Sequence, residues 1–301
     1  RTLRPKIGRL RDGYLRELRA TPYQGGGAGG EPPAGESLAD PDRLLAQLAV
    51  DRSVPPVSWR FRGGEEAARD TWLRFLEQRL PRYAAHRNRP ETDDVSYMGM
   101  YLHFGQVSPV WLARTARDAG ASAENRDALL EELVVRRELA MNFVHHSDDY
   151  DRYDTLPDWA RRTLDEHRRD PRPHLYDREA LEAGATHDPY WNAAMAEMRV
   201  TGYMHNYMRM YWGKKILEWS AGPEEAFATA LAINNKYFLD GRDPNSYTGV
   251  AWVFGLHDRA WQERPVLGKI RYMAASGLER KCDIGAYVAK VERLAAAAPA
   301  P

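Results

Sequence analysis

The sequence predicts an all-α protein on three observations. Apolar residues recur with the spacing of a helix face over long segments, as from Leu129 to Val144. Several helix starts carry a capping residue followed by proline, as at Ser108-Pro109 and Asp188-Pro189. No segment alternates apolar and polar residues over the length of a strand, and no repeat of roughly 20–50 residues is visible. We therefore expect one helical domain over residues 51–294.

The two ends of the chain are expected to lie outside this domain. Residues 1–20 alternate basic and apolar positions and predict a short helix, and 24–36 (QGGGAGGEPPAGE) has the composition of a flexible linker. Asp40-Pro41 predicts the start of another short helix. We expect residues 1–50 to be a peripheral linker and residues 295–301, rich in Ala and Pro, to be disordered.

The first helices of the domain are predicted from apolar spacing and caps. The apolar positions before Pro81 that are expected to face the core are Ala67, Leu73, Leu76 and Leu80. Asn125 is expected to cap the next long helix. Its apolar stripe consists of Leu129, Leu130, Leu133, Val134, Phe143 and Val144.

The later part of the chain is predicted from glycine and proline. Gly202 and Gly213 are expected to bend the helix that begins at Pro189. Gly222-Pro223, followed by two glutamates, indicates the end of that helix and the start of the next. Residues 240–261 are rich in Gly, Pro and Asn, so we expect a functional loop there rather than a core element.

Composition excludes some classes of function. The 301-residue chain has 43 basic and 43 acidic side chains, so net charge neither indicates nor excludes a nucleic-acid partner. Nearly all the basic residues are arginines, which bind phosphate and carboxylate through a planar fork, although a GC-rich genome would give the same bias. Cys282 is the only cysteine in this sequence, which argues against a disulfide framework and a thiolate metal site. No apolar run approaches the ~20 residues of a membrane span.

Tryptophans dominate the region from Trp191 to Trp261. Trp191, Trp212, Trp219, Trp252 and Trp261 lie among Arg209, Asn234, Asn235 and Asp240. The region has no catalytic-looking Ser, Cys or metal cluster. Several indoles around one arginine and a few amides suit an electron-carrying cofactor and a flat aromatic ligand better than hydrolysis. The pattern therefore favours redox or light-driven chemistry.

Spacing alone leaves alternatives open for each candidate residue. Trp212 and Trp219 share a helix face about 10 Å apart, which suits electron transfer but is also the usual spacing of two core residues. An arginine such as Arg209 among aromatic residues needs an anionic partner, and Asp240 is a candidate. Glu132 can form an ordinary surface ion pair with Arg136, or it can border a pocket.

Six sequence blocks resemble class II cyclobutane pyrimidine dimer photolyases. They are LPRYAAHRN (80–88), YLHFGQVSP (101–109), EELVVRREL (131–139), YMRMYWGKKILEW (207–219), NNKYFLDGRDPN (234–245) and HDRAWQERPVLGKIRYM (257–273). The opening RTLRPKI resembles the end of that family's antenna domain, so most of that domain is expected to be missing. The resemblance implies the helical FAD-binding domain of photolyases and cryptochromes. It also implies a light-driven lyase in which excited reduced FAD passes an electron to a pyrimidine dimer.

The resemblance assigns roles to individual residues. The residues matched to FAD binding are Tyr83, Ser96, Met98, Gly99, Arg209, Asn234 and Asp240. Arg209 and Asp240 would form an ion pair beside the isoalloxazine, with Asn234 facing flavin N5. Trp212, Trp191 and Trp219 would carry electrons to the flavin from solvent.

A second set of matched residues would meet the DNA. Glu132 would hydrogen-bond the dimer bases and Trp252 would stack on them. The residues that would support the DNA are Arg87, Asn88, Asp258 and Arg259. Residues 96–100 (SYMGM) depart from the family pattern by losing a hydroxyl and a proline.

These matches give one expected function and one alternative. We expect repair of pyrimidine dimers in DNA by a monomeric, cytoplasmic protein that is nucleoid-associated if bacterial, without a membrane partner or a metal. A cryptochrome-like flavin photoreceptor without repair activity is the alternative. A helical DNA-binding fragment without catalysis is a third possibility.

Overall fold

The computed structural model describes residues 3–17, 21–22, 35–37 and 39–299, and within these ranges the predicted all-α class is confirmed. The described α-helices are α1 (Leu3–Tyr14), α2 (Pro41–Gln47), α3 (Glu65–Gln78), α4 (Tyr83–His86), α5 (Met98–His103), α6 (Pro109–Arg117), α7 (Ala123–Leu130), α8 (Arg137–His146), α9 (Asp158–Glu166), α10 (Arg178–Ala183), α11 (Pro189–Thr201), α12 (Asn206–Trp219), α13 (Pro223–Tyr237), α14 (Pro244–Val253), α15 (Ala275–Lys281) and α16 (Ile284–Ala297). Short 3-10 turns occupy Leu80–Arg82 and Tyr153–Thr155, and the described residues form no strand, only an isolated bridge between Arg264 and Gly268.

Side-chain caps set several of the helix starts. Asp40, Ser108 and Asp188 each accept a hydrogen bond from a backbone N–H in the first turn, and each is followed by proline. These starts were predicted correctly. The start of α13 at Pro223 is also confirmed, with two glutamates at the positive end of the helix.

Two local predictions near the start of the domain were wrong. In α3 the buried residues are Ala68, Trp72 and Phe75, whereas Leu73 is half exposed. The two large rings take the inner face because they bury more apolar surface than leucine. The cap of α7 is Ser122, and Asn125 is instead buried, where its Nδ2 donates to the Pro81 carbonyl over 2.8 Å.

The long helix predicted after residue 125 is interrupted. Glu131–Arg136 forms a π-helical segment between α7 and α8, with one extra residue per hydrogen-bonded turn. Apolar spacing does not reveal this change, because Leu129 and Leu130 before it and Phe143 after it are still buried. The π segment carries Glu132.

The loop predicted over residues 240–261 is found only at 240–243 and 254–261, because 244–253 are helical. Asp243 caps α14 through its carboxylate, and the helix runs to Val253. Gly213 lies inside an unbroken α12, so its predicted bend is also wrong. A Cβ at Gly213 would lie 2.7 Å from Cγ2 of Val253, so this glycine lets α12 and α14 approach closely. Gly202 ends α11 in a left-handed conformation.

Two apolar cores support the helices. The first lies under α3 to α7 and includes Trp72, Leu112 and Leu130. The second is formed by residues from α8 to α16. In it, α11 packs along α16, and α8 packs along α14. Tyr203 and Leu239, next to the second core in sequence, pack against the first. The two cores are therefore connected at the turns that follow α11 and α13.

The two ends of the chain differ in part from prediction. The helix predicted at the start is confirmed as α1. It packs against α8 and the π segment, and Leu15 is buried in the first core, so this end is docked rather than peripheral. Most of the predicted linker at 24–36 lies outside the described residues. At the other end α16 extends to Ala297, into the segment 295–301 predicted as disordered.

None of the helices in the described part of the chain combines the length and apolar composition that a bilayer crossing requires. In the same described ranges, no group of three or more His, Cys, Asp or Glu side chains is arranged to hold a metal ion.

A lysine is buried between α12 and α14. Lys214 is 4% exposed, and its ammonium donates to the Val253 carbonyl at the end of α14. Burial lowers the pKa of Lys214 from 10.5 to about 7. Unfolding therefore takes up a proton between those pH values, so this group makes the protein less stable as pH falls from 10.5 to 7.

We expect Lys214→Met to be stabilised relative to the wild type most strongly near pH 6, with an advantage that shrinks towards pH 10. The reason is that methionine fills the space without the cost of burying a charge. Urea unfolding at several pH values measures the difference. Lys6→Met, on an exposed position of α1, is the control. A difference that is independent of pH would contradict the prediction.

Candidate functional site

The centre of the site is a paired arginine and aspartate. Arg209 of α12 meets Asp240 of the turn after α13 through two hydrogen bonds, Nη1–Oδ1 at 3.0 Å and Nη2–Oδ2 at 3.2 Å. Nε of Arg209 donates to the Met204 carbonyl over 3.0 Å, and the guanidinium lies 3.8 Å from the ring centroid of Phe238. Both charged side chains are only about one-fifth exposed. The pair is therefore mostly shielded from water, with the ring of Phe238 on one side.

The start of α5 reaches the same pair. A Cβ at Gly99 would lie 2.8 Å from Oδ2 of Asp240, so a larger residue here would require the paired carboxylate to shift. Oγ of Ser96 lies 3.4 Å from the N–H of Met98, which donates to it, and Met98 is buried. Tyr97, at the start of α5, has a left-handed φ of 57°. Gly99 thus lies against the carboxylate of Asp240, and Ser96 and Met98 are its close neighbours in sequence.

Asn234 lies in the last part of α13. Its side chain is 3% exposed, and its Nδ2 donates to Oδ1 of Asn235 over 2.9 Å. The same oxygen accepts from the N–H of Arg242 over 3.1 Å. The two asparagines thus tie the end of α13 to the turn that carries Asp240.

An aromatic path leads away from the charged pair. The ring of Phe238, which lies against Arg209, is 6.3 Å from the ring of Trp212. Nε1 of Trp191 donates to the Trp212 carbonyl over 3.0 Å, and the rings of Trp191 and Trp219 are 5.7 Å apart. Trp191 therefore contacts the backbone of Trp212 on one side and the ring of Trp219 on the other.

The far end of the path does not itself reach solvent. Trp219 is 3% exposed. It contacts His187, with ring centroids 5.0 Å apart, and Tyr176, at 5.6 Å. His187 is exposed and Tyr176 half-buried, so these two residues separate the last indole from the surface. Neither residue was among those predicted from the sequence.

A second group of side chains surrounds Glu132 on the π segment. Arg87 donates to its Oε1, and Nε of Arg136 lies 2.9 Å from the same oxygen. The N–H of Arg136 is not directed at that oxygen and has no acceptor among the described residues, so this contact is an ion pair only. The Arg136 guanidinium lies 5.2 Å from the ring centroid of Trp252, which is half-buried.

Tyr83 belongs to this second group. Its ring centroid lies 5.9 Å from the guanidinium of Arg87 and 5.8 Å from Phe75. Burial first, and then the negative charge of Glu132, raise the pKa of Tyr83 to about 12. Asn88 is half-buried in the turn after α4, next to Arg87. Tyr83, expected with the FAD residues, thus packs beside those expected to meet DNA.

α14 connects the two groups. Oγ of Ser246 in its first turn donates to the Asp240 carbonyl over 2.7 Å, and Trp252 lies near its end. A separation of six residues along a helix corresponds to about 9 Å. The charged pair and the Glu132 group are therefore close neighbours, although their residues are far apart in sequence.

The loop after α14 holds the remaining predicted residues. Asp258 accepts hydrogen bonds from the N–H of Arg259 over 2.8 Å and from Nε1 of Trp261 over 3.1 Å. Arg259 is exposed, and its guanidinium lies 5.2 Å from the Trp261 ring. Trp252 is joined to this loop by His257, with ring centroids 5.9 Å apart.

Comparison with solved structures places this arrangement in a known fold. A crystal structure of a bacterial class III photolyase from Agrobacterium tumefaciens matches 78% of the chain with a TM-score of 0.60 and 19% identity, and the match covers 46% of that protein. A cryptochrome from Synechocystis sp. PCC6803 matches 78% of the chain and 56% of its own length, with a TM-score of 0.52 and 15% identity. The chain has the helical fold of photolyases and cryptochromes.

Sequence comparison identifies the chain as a homologue of deoxyribodipyrimidine photolyases. It is 53% identical to the enzyme of Methanothermobacter thermautotrophicus over 234 residues, 78% of this chain and 52% of that enzyme. It is 46% identical to the enzyme of Oryza sativa subsp. japonica over 307 residues, 98% of this chain and 59% of that enzyme. The chain thus spans just over half the length of these relatives. No family model matches the chain.

In this photolyase homologue we expect Asp240→Asn to lower the free energy of unfolding by about 1–3 kcal/mol, because the mutation leaves Arg209 without its counter-charge in a mostly buried position. Urea unfolding measures the change. Asp118→Asn removes a carboxylate from an exposed pair with Arg117 and should lower the free energy of unfolding much less. Equal losses in the two variants would show that the central pair contributes no more than a surface contact.

Proposed function

We propose that the chain binds FAD and uses light to split cyclobutane pyrimidine dimers in DNA, as a class II photolyase. The observation that carries this proposal is the arrangement of its aromatic and charged side chains. A series of three tryptophans, linked by a ring contact and a hydrogen bond, leads through Phe238 to the Arg209–Asp240 pair, and Glu132 contacts the region of Trp252 through Arg136. These groups suit electron transfer beside a bound pyrimidine lesion.

The residues around the charged pair fit FAD. The indole N–H of Trp212 is buried and has no acceptor among the described residues, which leaves a donor for a ligand. Arg209 and Asp240 offer charged groups among aromatic rings, which suits a flat heterocycle with polar edges. In this proposal Arg209, Asp240 and Asn234 hold the isoalloxazine, and Ser96, Met98, Gly99 and Tyr83 lie on the side of the phosphates and adenosine. FAD would supply the photoexcited electron donor.

The tryptophans supply a route for electrons from the surface. The ring contact between Trp219 and Trp191 and the hydrogen bond from the Trp191 indole to the Trp212 carbonyl suit stepwise transfer through these residues, with Phe238 between Trp212 and Arg209. Burial keeps water away from each indole along this route.

The Glu132 group supplies the contact with the lesion. A dimer must leave the DNA stack to reach a buried cofactor, and a lesion that pairs poorly leaves it at lower cost. Trp252 is half-buried and can stack on the extruded bases, while Glu132 accepts from them. Arg87 and Arg136 orient the carboxylate of Glu132 by flanking it. Asn88, Asp258 and Arg259 would then support the distorted DNA.

A cryptochrome-like photoreceptor is the alternative, because the fold is shared with a cryptochrome. The ion pairs around Glu132 and their contact with Trp252 favour repair, since signalling requires no lesion contact. The partner that we propose is DNA containing pyrimidine dimers, bound by a single copy of the chain in the cytoplasm. Repair of a dimer-containing oligonucleotide by the purified protein under blue light tests the proposal. A protein that binds FAD but leaves dimers intact would support the photoreceptor.

We expect Trp212→Phe to abolish photoreduction of bound FAD while dark binding of damaged DNA stays nearly unchanged, because phenylalanine keeps the packing but is far harder to oxidise. Absorbance after blue illumination measures photoreduction. Trp111→Phe, in a helix remote from the tryptophan path, is the matched control and should behave as the wild type. Normal photoreduction in Trp212→Phe would remove Trp212 from the electron route.

We expect Glu132→Ala to lower the repair yield per photon by roughly tenfold, the scale expected when a charged hydrogen bond to the reacting group is lost. FAD content should not change, because Glu132 lies outside the Arg209–Asp240 pair. The measurement is the number of dimers split per absorbed photon. Glu138→Ala, an exposed position in α8, is the control. A wild-type yield in Glu132→Ala would exclude a role for this carboxylate.

A further inference from the structure

His167 connects the end of α9 to the loop that follows α14. Its Nδ1 lies 2.6 Å from Oδ2 of Asp170, and its Nε2 lies 3.0 Å from Oε1 of Glu263. Both partners are carboxylates, which accept hydrogen bonds when they are ionised. A neutral imidazole has one N–H, so both contacts are hydrogen bonds only when the ring is protonated.

The segment 263–269 needs such an anchor because its backbone is strained. Val266 has a φ of 68°, a left-handed conformation that a β-branched residue rarely adopts. Its N–H donates to Oδ2 of Asp170 over 2.9 Å, the same oxygen that meets His167. Asp170 therefore holds the strained residue, and His167 holds Asp170.

Two further contacts fit this segment to the end of α9. Oγ1 of Thr163, a buried residue, accepts from the N–H of Lys269 over 3.0 Å. Gly268 has a φ of 52°, and a Cβ there would lie 2.9 Å from Cδ2 of His167. The backbone of the loop thus lies directly against the imidazole of His167. A change in the protonation of this ring therefore affects the position of the loop.

The anchored segment continues into residues that we assign to DNA binding. The N–H of Trp261 donates to the Lys269 carbonyl over 2.9 Å, and Arg264 bridges to Gly268. Trp261 in turn donates to Asp258, which also orders the backbone of Arg259. A shift of the segment 263–269 therefore also moves Asp258 and Arg259.

We propose that His167 is a positioning residue for DNA binding, and that its protonated ring fixes the loop 257–269 in the conformation that receives damaged DNA. This inference rests on the proposed function. His167 touches no substrate itself and acts through Asp170 and Glu263.

The charges around His167 set the direction of its pH dependence. Hydrogen bonding to Asp170, and then to Glu263, raises the pKa of His167 above its usual value. Two cations face the carboxylates: Lys269 lies 3.7 Å from Glu263, and the positive charge of Arg172 lowers the pKa of Asp170. Arg168 forms its ion pairs with Asp165 and Glu224 instead. The pKa values of Asp170 and Glu263 are lowered, so both stay ionised in this range. Because the pKa of His167 is raised in the folded protein, the anchor is complete below the usual histidine pKa and is lost as pH rises through the raised value.

The test uses the full chain and a dimer-containing oligonucleotide bound in the dark between about pH 5.5 and 9. We expect wild-type affinity to fall as His167 deprotonates. His167→Gln should bind about threefold to tenfold more weakly at pH 6, the effect of losing one partly exposed charged hydrogen bond, and should lack this pH step. His167→Arg, a planar cation at every pH, should restore binding at pH 6 and keep it at pH 8.5. His146→Gln, at an exposed histidine of α8, should keep the wild-type profile.

Amide hydrogen exchange of residues 257–271 gives a second measurement that needs no DNA. We expect faster exchange in His167→Gln than in the wild type at pH 6, with unchanged FAD content. Wild-type affinity, pH profile and exchange in His167→Gln would overturn the proposal. If the wild type shows no preference for dimers at any pH, the proposed function fails. Hydrogen exchange then decides alone: faster exchange supports the anchor, and unchanged exchange overturns it.

Discussion

The bidentate contact between Arg209 and Asp240 is the interaction on which the site depends. It joins α12 to the turn after α13, and that turn is fixed by Ser246 of α14 and approached by Gly99 at α5. Two charges held mostly out of water require this geometry, because either one alone would carry a large desolvation cost. The pair therefore fixes four separate parts of the chain around one point.

Close backbone approach is the second constraint. Gly213 allows α12 to approach Val253 of α14 closely. Trp252 directly precedes Val253 in the sequence. The spacing between the helix that carries Trp212 and the helix that carries Trp252 is thus set at a residue without a side chain. The sequence suggested a bend at this glycine, because a glycine inside a helix signals flexibility and close packing alike.

Local chemistry made much of the fold predictable. Caps at Asp40, Ser108 and Asp188 act within a few residues, so they can be recognised without knowledge of the tertiary structure. The errors came from competition between distant groups. Asn125 is a residue type that often caps helices, but its amide donates to the Pro81 carbonyl instead. In α3, Trp72 occupies the buried face that was predicted for Leu73. Such outcomes depend on partners far away in sequence.

The candidate site was predictable in its residue types but not in its connections. Arg209 with Asp240, and the order of the three indoles, followed from a resemblance that covers long blocks of sequence. Phe238 was missed because a phenylalanine among aromatic residues has no distinguishing pattern. Arg136 was considered only as a surface partner of Glu132, yet it also covers Trp252. His167 was overlooked because its two carboxylate partners, Asp170 and Glu263, lie on segments that only the tertiary structure brings together.

The π segment makes the number of residues in this stretch a determinant of where Glu132 lies. It holds one residue more than an α-helix would need over the same rise, and Glu132 lies within it. Deletion of any single residue there would let the helix return to regular α geometry. The part of the helix after the deletion would then be rotated by about 100° around the helix axis relative to the part before it. Glu132 and Arg136 would then part from Arg87 and Trp252 although each side chain was still present. Insertions and deletions in this short stretch are therefore under a stricter constraint than substitutions at most of its positions.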